Sequence, residues 1–456
     1  MRSLKYSNLS TRLGAVENEW ELLWEEFGED ETLTVDPSLV DKVADEFAER
    51  MKENYPFFHP RYVGQMLKPP HPIAAAAYQM AMKINPNNHA LDGGPATAKM
   101  EIEAVADVAR MFGYKKHLGH LTSSGTIANL EALWVARSLH PNKGIAFSSS
   151  AHYTHKRMCE VIGAEAMEIP SDEFGKMDSD ALEKILKAGN VGTVVATIGT
   201  TSLGAIDPLE RIIPICRNYN VRVHADAAYG GFFMLLALQK FPLINAAPFL
   251  CLSECDSIVV DPHKHGLQPY GCGCILFGDP SVGKFYKHNS PYTYFTSRDL
   301  HLGEISLECS RPGAAAAALW FTLKCIPLLP DAGLGAILTK TRQAALEFSK
   351  LAASSSTLTE FIKPVLDIVT YFPKTKPLAA SLISKRSERL FSDAMHHSTA
   401  PLFLALLHVD STQAKQLHPQ VNADLKTMTI VRSALMKPEH LAFVPQLIGE
   451  LEELAG

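Results

Sequence analysis

The stretch IVVDPHKHGL, residues 258–267, decides how this chain reads. A short β-branched apolar run is the pattern of a buried strand, and here it stops abruptly on Asp261, Pro262, His263, Lys264 and His265. In a parallel sheet covered on both faces, strands look like this, and their carboxyl ends are where ligands bind. A lysine at such an end has two readings. It could snorkel to solvent, or it could serve as a nucleophile, its amine made more basic-poor by burial and a cationic neighbour such as His263.

Working outward, GTVVATIGTT (192–201) and VRVHADAAY (221–229) repeat the same run-then-polar pattern, with a helix-like stretch at 209–219 between them. Alternation of strand and helix signals from about 76 to 330 predicts an α/β domain with a mostly parallel sheet. From about 331 to 456 longer helices and fewer strands (LFLALLHVD, MTIVRSAL) predict a smaller α+β domain. Residues 1–75 start with acidic helix-like segments and end in proline- and aromatic-rich YPFFHPRY and KPPHP, an arm that packs on something else. The run GAAAAALWFTL (313–323) is too short to span a bilayer and reads as a buried helix.

Composition narrows the function. The chain has 456 residues, 46% hydrophobic and 20% charged, with a net charge of −6. That argues against a dedicated nucleic-acid or anionic-membrane binder. The amino terminus carries no apolar segment of a secretory signal, and eight cysteines in this length fit reduced thiols, so a cytoplasmic protein is expected. Cys272 and Cys274 lack the further ligand pairs a zinc site needs, so no metal is expected.

Three more clusters could carry chemistry. In LTSSGTIANLEAL, Ser123, Ser124, Gly125 and Thr126 precede a helix whose apolar residues Ile127, Leu130 and Trp134 share a face. Free N–H groups there make either an ordinary N-cap or a phosphate cradle. In HADAAYGGF, Asp226 ends a strand, and the small residues after it leave room for a flat ring; a helix cap is the plainer use. In SSSAHYTHK, His152 is either structural or a ring that stacks on a planar ligand. A phosphate cradle, a carboxylate for a ring nitrogen, a stacking imidazole and a Schiff-base lysine together match the needs of pyridoxal 5′-phosphate.

With those residues in view, the chain resembles the fold-type-I pyridoxal phosphate enzymes, and among them the group II amino-acid decarboxylases. FHPRYVG, GGPATAKMEIEAV, SSGTIANLEAL, AHYTHK, ATIGTTSLGAIDPL, HADAAYGG and DPHKHG occur in that family's order, followed by VRSALMKPEH. The resemblance implies a large mostly parallel-sheet domain, a smaller C-terminal domain and a homodimer with shared active sites. It implies Lys264 as the covalent anchor, Asp226 as partner of the pyridinium nitrogen and His152 stacked on the ring. Ser124, Gly125, Thr126 and His263 would hold the phosphate, and Thr200 and Ala228 would line the ring.

The same resemblance implies that Tyr292 or Tyr294 protonates Cα, with dimer packing as the alternative, and that Ser310 and Arg311 reach a phosphate of the neighbouring subunit. Phe58, His59 and His89 would shape the substrate pocket, leaving aromatic and acidic amino acids both open. Arg432 resembles the carboxylate-gripping arginine of aminotransferases, but the decarboxylases have a similar one, so it does not choose the reaction. The implied reaction is decarboxylation of an L-amino acid to its amine. The alternatives are another pyridoxal phosphate reaction (Cα–Cβ lyase, aminotransferase or oxidative aldehyde synthase). Asp261 and the segment HGLQPYGCG depart from the animal aromatic-amino-acid decarboxylase pattern toward the archaeal tyrosine/aspartate decarboxylases and the sphingoid-base phosphate lyases.

Overall fold

A computed structural model of the chain describes residues 9–25, 27–28, 30–287 and 306–456. It divides into two units, Met1–His59 and Pro60–Gly456. In the first, the helices Leu9–Trp24 and Pro37–Met51 follow the acidic amphipathic pattern of the sequence. Asp36 caps the second by accepting from Ser38 N, and Pro37 occupies the first turn, where its missing N–H costs nothing.

The second unit is built on a seven-stranded sheet. Its strands are β1 (Leu118–Thr122), β2 (Gly144–Ser148), β3 (Ala166–Ile169), β4 (Val191–Thr197), β5 (Arg222–Asp226), β6 (Ser257–Val260) and β7 (Gly273–Phe277), in the order β1-β7-β6-β5-β4-β2-β3. Among them β7 alone runs opposite in direction to the other six. Every residue of β2, β4, β6 and β7 is buried, which is why these strands are continuous apolar runs and not alternating ones. Lateral register places Thr197 beside Asp226 and Asp226 beside Val259, so the carboxyl ends of β4, β5 and β6 form one edge. The 38-residue separation of Asp226 and Lys264 is thus a crossover between adjacent parallel strands.

The helix Gly313–Cys325 is buried against the helices Pro72–Met82 and Pro95–Met111, in line with its alanine-rich sequence. A second, wholly antiparallel sheet of β8 (Leu358–Ile362), β9 (Ile368–Pro373), β10 (Ala405–Asp410) and β11 (Thr427–Ala434) runs in the order β10-β11-β9-β8. The helices Gly333–Ser354, Ala380–Met395 and His440–Ala455 pack on it around Phe348, Tyr371 and Leu447. Among the described residues no helix is long and apolar enough to cross a membrane.

Candidate active site

The site forms where β1, β2, β5 and β6 release the chain at the carboxyl edge of the large sheet. β6 ends at Val260, and the next residues turn back on themselves, with Lys264 N donating to Asp261 O at 2.9 Å. This turn lifts Lys264 off the strand end, leaving its side chain 22% exposed while Asp261 is 3% exposed. The charge facing Lys264 Nζ is the Asp261 carboxylate, 3.1 Å away. The cationic neighbour expected from the sequence is therefore replaced by an anion, because burial lowers the pKa of His263 and favours its neutral form. His263 Nδ1 donates to Cys272 O at 2.9 Å, its Nε2 lies 3.5 Å from Asp261, and the Tyr270 ring lies over it at 4.8 Å.

Asp226 closes β5 and is buried. Its Oδ2 accepts from His155 Nε2 at 2.8 Å and its Oδ1 from Ala228 N at 3.2 Å. Burial opposes its ionisation, but the His155 hydrogen bond and charge, then Lys264 and His224, hold it well below the usual carboxylate range. His224, on the same face of β5, is saturated: Nδ1 meets Ser257 Oγ and Nε2 meets Asn129 Oδ1, each at 2.8 Å. Burial drives its pKa to about 3. His152 is half-buried, with Nδ1 2.7 Å from Thr154 Oγ1 and its ring against Tyr153. Burial lowers its pKa, and it sits in the fields of Asp226, Lys264, His155 and Asp261, so the structure brings these five groups together.

The cradle is the amino terminus of the helix Gly125–Leu139. Ser124, in extended conformation, caps it by accepting from Ile127 N at 3.3 Å, and Thr126 is exposed. Ser123 N already donates to an anion, Glu308 Oε2, at 2.8 Å. Gly125 is required by close approach: a Cβ there would lie 2.5 Å from Asp261 Oδ2. An amide that donates to a carboxylate, a glycine with no room for a side chain and a reachable amine beside a buried aspartate fit a phosphate-bearing pyridine.

The other residues named from the sequence have these contacts. Thr200 Oγ1 accepts from Ala205 N at 3.0 Å and so closes a turn after β4. Ala228 is partly buried and links two strand ends, donating to Asp226 and accepting from Asp261 N. His89 packs on Gly93, with Nδ1 buried and without a partner among the described residues. Arg432 is buried on β11, donates from Nη1 to Gly64 O at 3.4 Å, and has Nε and Nη2 buried without partners among the described residues. Phe58 and His59 are exposed in the Met1–His59 unit. Tyr292 and Tyr294 lie outside the described residues.

The reach of Arg311 toward a neighbouring subunit is corrected. Its guanidinium is buried, paired with Glu101 and donating to Leu121 O and Asn88 O at 2.8 and 2.9 Å. Ser310 Oγ accepts from Asn87 Nδ2 at 3.1 Å. Two site groups were missed by sequence reasoning. His155 had a signal, the H-x-x-H spacing with His152 on a helix start; Glu308 had none.

Comparison with known proteins agrees with this geometry. A family model for the pyridoxal-dependent decarboxylase conserved domain matches residues 29–362. A probable L-tyrosine/L-aspartate decarboxylase of Methanothermobacter thermautotrophicus is 31% identical over 266 residues, 58% of this chain and 70% of that protein. The L-tyrosine decarboxylase of Enterococcus faecium is 28% identical over 408 residues, covering 67% of this chain and 66% of that one. Among solved structures, mouse CSAD in apo form superposes with a TM-score of 0.78 at 19% identity, covering 96% of this chain and 92% of that one. Oryza sativa TDC with PLP and tryptamine gives 0.78 at 17%, covering both chains fully (100% each). At these identities the two structures speak for the fold, the mostly parallel sheet with a smaller antiparallel domain. Because the family match spans well over half of its length, the chain belongs to the pyridoxal-dependent decarboxylases and is a pyridoxal phosphate-dependent carboxy-lyase.

Proposed function

We propose that this enzyme decarboxylates an aromatic or acidic L-amino acid to the amine and CO2, with Lys264 as the cofactor's covalent anchor. The observation that carries this is the convergence of Lys264, Asp226, His152 and the Ser124–Gly125–Thr126 helix start on one sheet edge. When bound, pyridoxal phosphate supplies an electron sink that accepts the bonding pair released as CO2 departs. The chain's own residues bind and orient. Ser124, Gly125 and Thr126 offer helix-start donors to the phosphate, with His263 beside them. His152 would cover one ring face, Ala228 and Thr200 would border it, and Asp226 would hold the proton on the ring nitrogen.

The substrate range follows from the two relatives' names, and within the Pro60–Gly456 unit we assign His89 and Arg432 to the substrate's side. Tyr292 or Tyr294 is proposed as proton donor to Cα. A cytoplasmic homodimer with shared sites completes the reading, with residues 1–75 as the dimer arm, 76–330 as the cofactor domain and 331–456 as the small domain. The exposed stripe Leu39, Val43, Phe47 and Met51 on the helix Pro37–Met51 supports the arm assignment.

The test is a visible absorbance on pyridoxal phosphate addition, then CO2 and amine from a panel of L-amino acids. Lys264→Ala is expected to lose the visible band and at least about a thousandfold of activity. A colourless wild-type protein that takes up no cofactor would end the proposal. Aldehyde or keto acid without CO2 would replace decarboxylation by a lyase or aminotransferase reaction.

A further inference from the structure

Asp226 accepts one side-chain hydrogen bond among the described residues, from His155. His155 lies on the first turn of the helix Thr154–Ile162, fully buried, its ring 5.9 Å from that of Phe147 on β2. Among the described residues its Nδ1 is buried without a partner, so Nε2 makes the one polar contact of the ring there, on Asp226 Oδ2 at 2.8 Å. The other candidate donors are engaged elsewhere. His224 spends both ring nitrogens on Ser257 and Asn129. Lys264 Nζ lies against Asp261, and on the reading above its amine would carry the cofactor.

A buried carboxylate left without donors costs several kcal/mol on the order-of-magnitude scale for buried ions, and it would neutralise itself by taking up a proton. An ionised carboxylate offers about four lone-pair sites. His155 and Ala228 N–H use one on each oxygen, leaving room for a third donor.

Resting on the pyridoxal phosphate reading above, we propose that His155 is a positioning residue. By donating from Nε2 to Asp226 Oδ2, it fixes the direction of that carboxylate and lets it stay ionised against a protonated ring nitrogen. The role persists after Lys264 has been converted to the anchor, because His155 is not consumed. The depressed pKa of Asp226, to which His155 contributes more than Lys264 or His224, agrees with it.

The experiment uses the full chain with 15N-labelled pyridoxal phosphate and compares wild type, His155→Phe and His155→Gln. Phenylalanine keeps the ring volume and loses the donor; glutamine keeps an N–H. In the wild type the ring nitrogen is expected at the 15N position of a protonated pyridine. In His155→Phe it moves toward the unprotonated position, and the cofactor Kd rises about tenfold or more, the scale of a hydrogen bond to a charged group. His155→Gln recovers most of both.

A folded His155→Phe with an unchanged ring-nitrogen signal and Kd overturns the proposal, as does an unprotonated ring nitrogen in the wild type, which needs no variant. If His155→Phe does not fold, His155→Met decides by the same two readouts. Failure of wild type to take up the cofactor sinks the parent reading instead, whereas decarboxylation by wild type with an unmoved ring nitrogen in the variant sinks this one alone.

Discussion

Asp261 touches Gly125 on one side and Lys264 on the other, so a single methyl group at residue 125 can reach Lys264 through it. A Cβ at residue 125 would lie 2.5 and 2.6 Å from the two Asp261 carboxylate oxygens, and the side chain it meets is buried. Gly125→Ala is therefore expected to destabilise by about 1–3 kcal/mol, the usual scale of overpacking. Since the displaced group is the partner of Lys264 Nζ, cofactor affinity should fall about tenfold as well. Urea unfolding with and without pyridoxal phosphate measures both effects. A variant as stable and as retentive as wild type would show that Asp261 yields freely. Gly449 is the contrasting case: a Cβ there meets nothing within 4 Å. It lies inside the helix His440–Ala455, so Gly449→Ala should add about 0.5–1 kcal/mol by lowering the entropy lost in forming the helix.

At the scale of elements, the segment entering the helix Gly313–Cys325 is pinned by Arg311. Its guanidinium joins Glu101 on the helix Pro95–Met111, Leu121 O on β1 and Asn88 O, while Leu121 N donates to Glu101 Oε1 at 2.9 Å. Asn88 Nδ2 also donates to that carboxylate, at 2.6 Å. Removing one member of such a buried pair strands the other charge, so Arg311→Met is expected to cost about 3–5 kcal/mol. The denaturant midpoint gives the measurement. The double variant Arg311→Met, Glu101→Gln should recover part of the loss, and no recovery would mean that packing, not charge, is what Arg311 contributes.

For the whole molecule, buried histidines set the acid limit. His224 is held at about 3, below its ordinary 6.5, by burial first. Between those values the unfolded chain binds a proton that the native one refuses. Its contribution to stability is therefore complete above about pH 6.5 and is lost as pH falls toward 3, by at most about 1.4 kcal/mol per pH unit. Urea midpoints at pH 7 and pH 5 should show the drop, and His224→Gln should flatten it. Assembly belongs to this scale too. If the stripe on Pro37–Met51 is the dimer arm, Phe47→Asp should shift the sedimentation of the cofactor-loaded protein toward monomer, with the folded content by circular dichroism unchanged.

What the sequence by itself determined is what contiguous residues can encode. The β-branched runs of β4 and β6, the Ser124–Gly125–Thr126 start of a helix and the polar residues closing each run announced strands and a capped helix start, because strand period, helix capping and φ preference act over a few residues. The crossover length from Asp226 to Lys264 even implied neighbouring strands. Contacts across the fold were decided only by tertiary structure: His155 on Asp226, Asp261 against Gly125 and Lys264 where a cation was expected, Arg311 turned inward to Glu101. These pairs stand 71, 136 and 210 residues apart, except for Asp261 and Lys264 at 3. Even that short pair depends on the turn after β6, which Cys272 O and the start of β7 hold in place through His263. Which side chain meets which is set by how helices seat on the sheet, and that packing has no local signature in the chain.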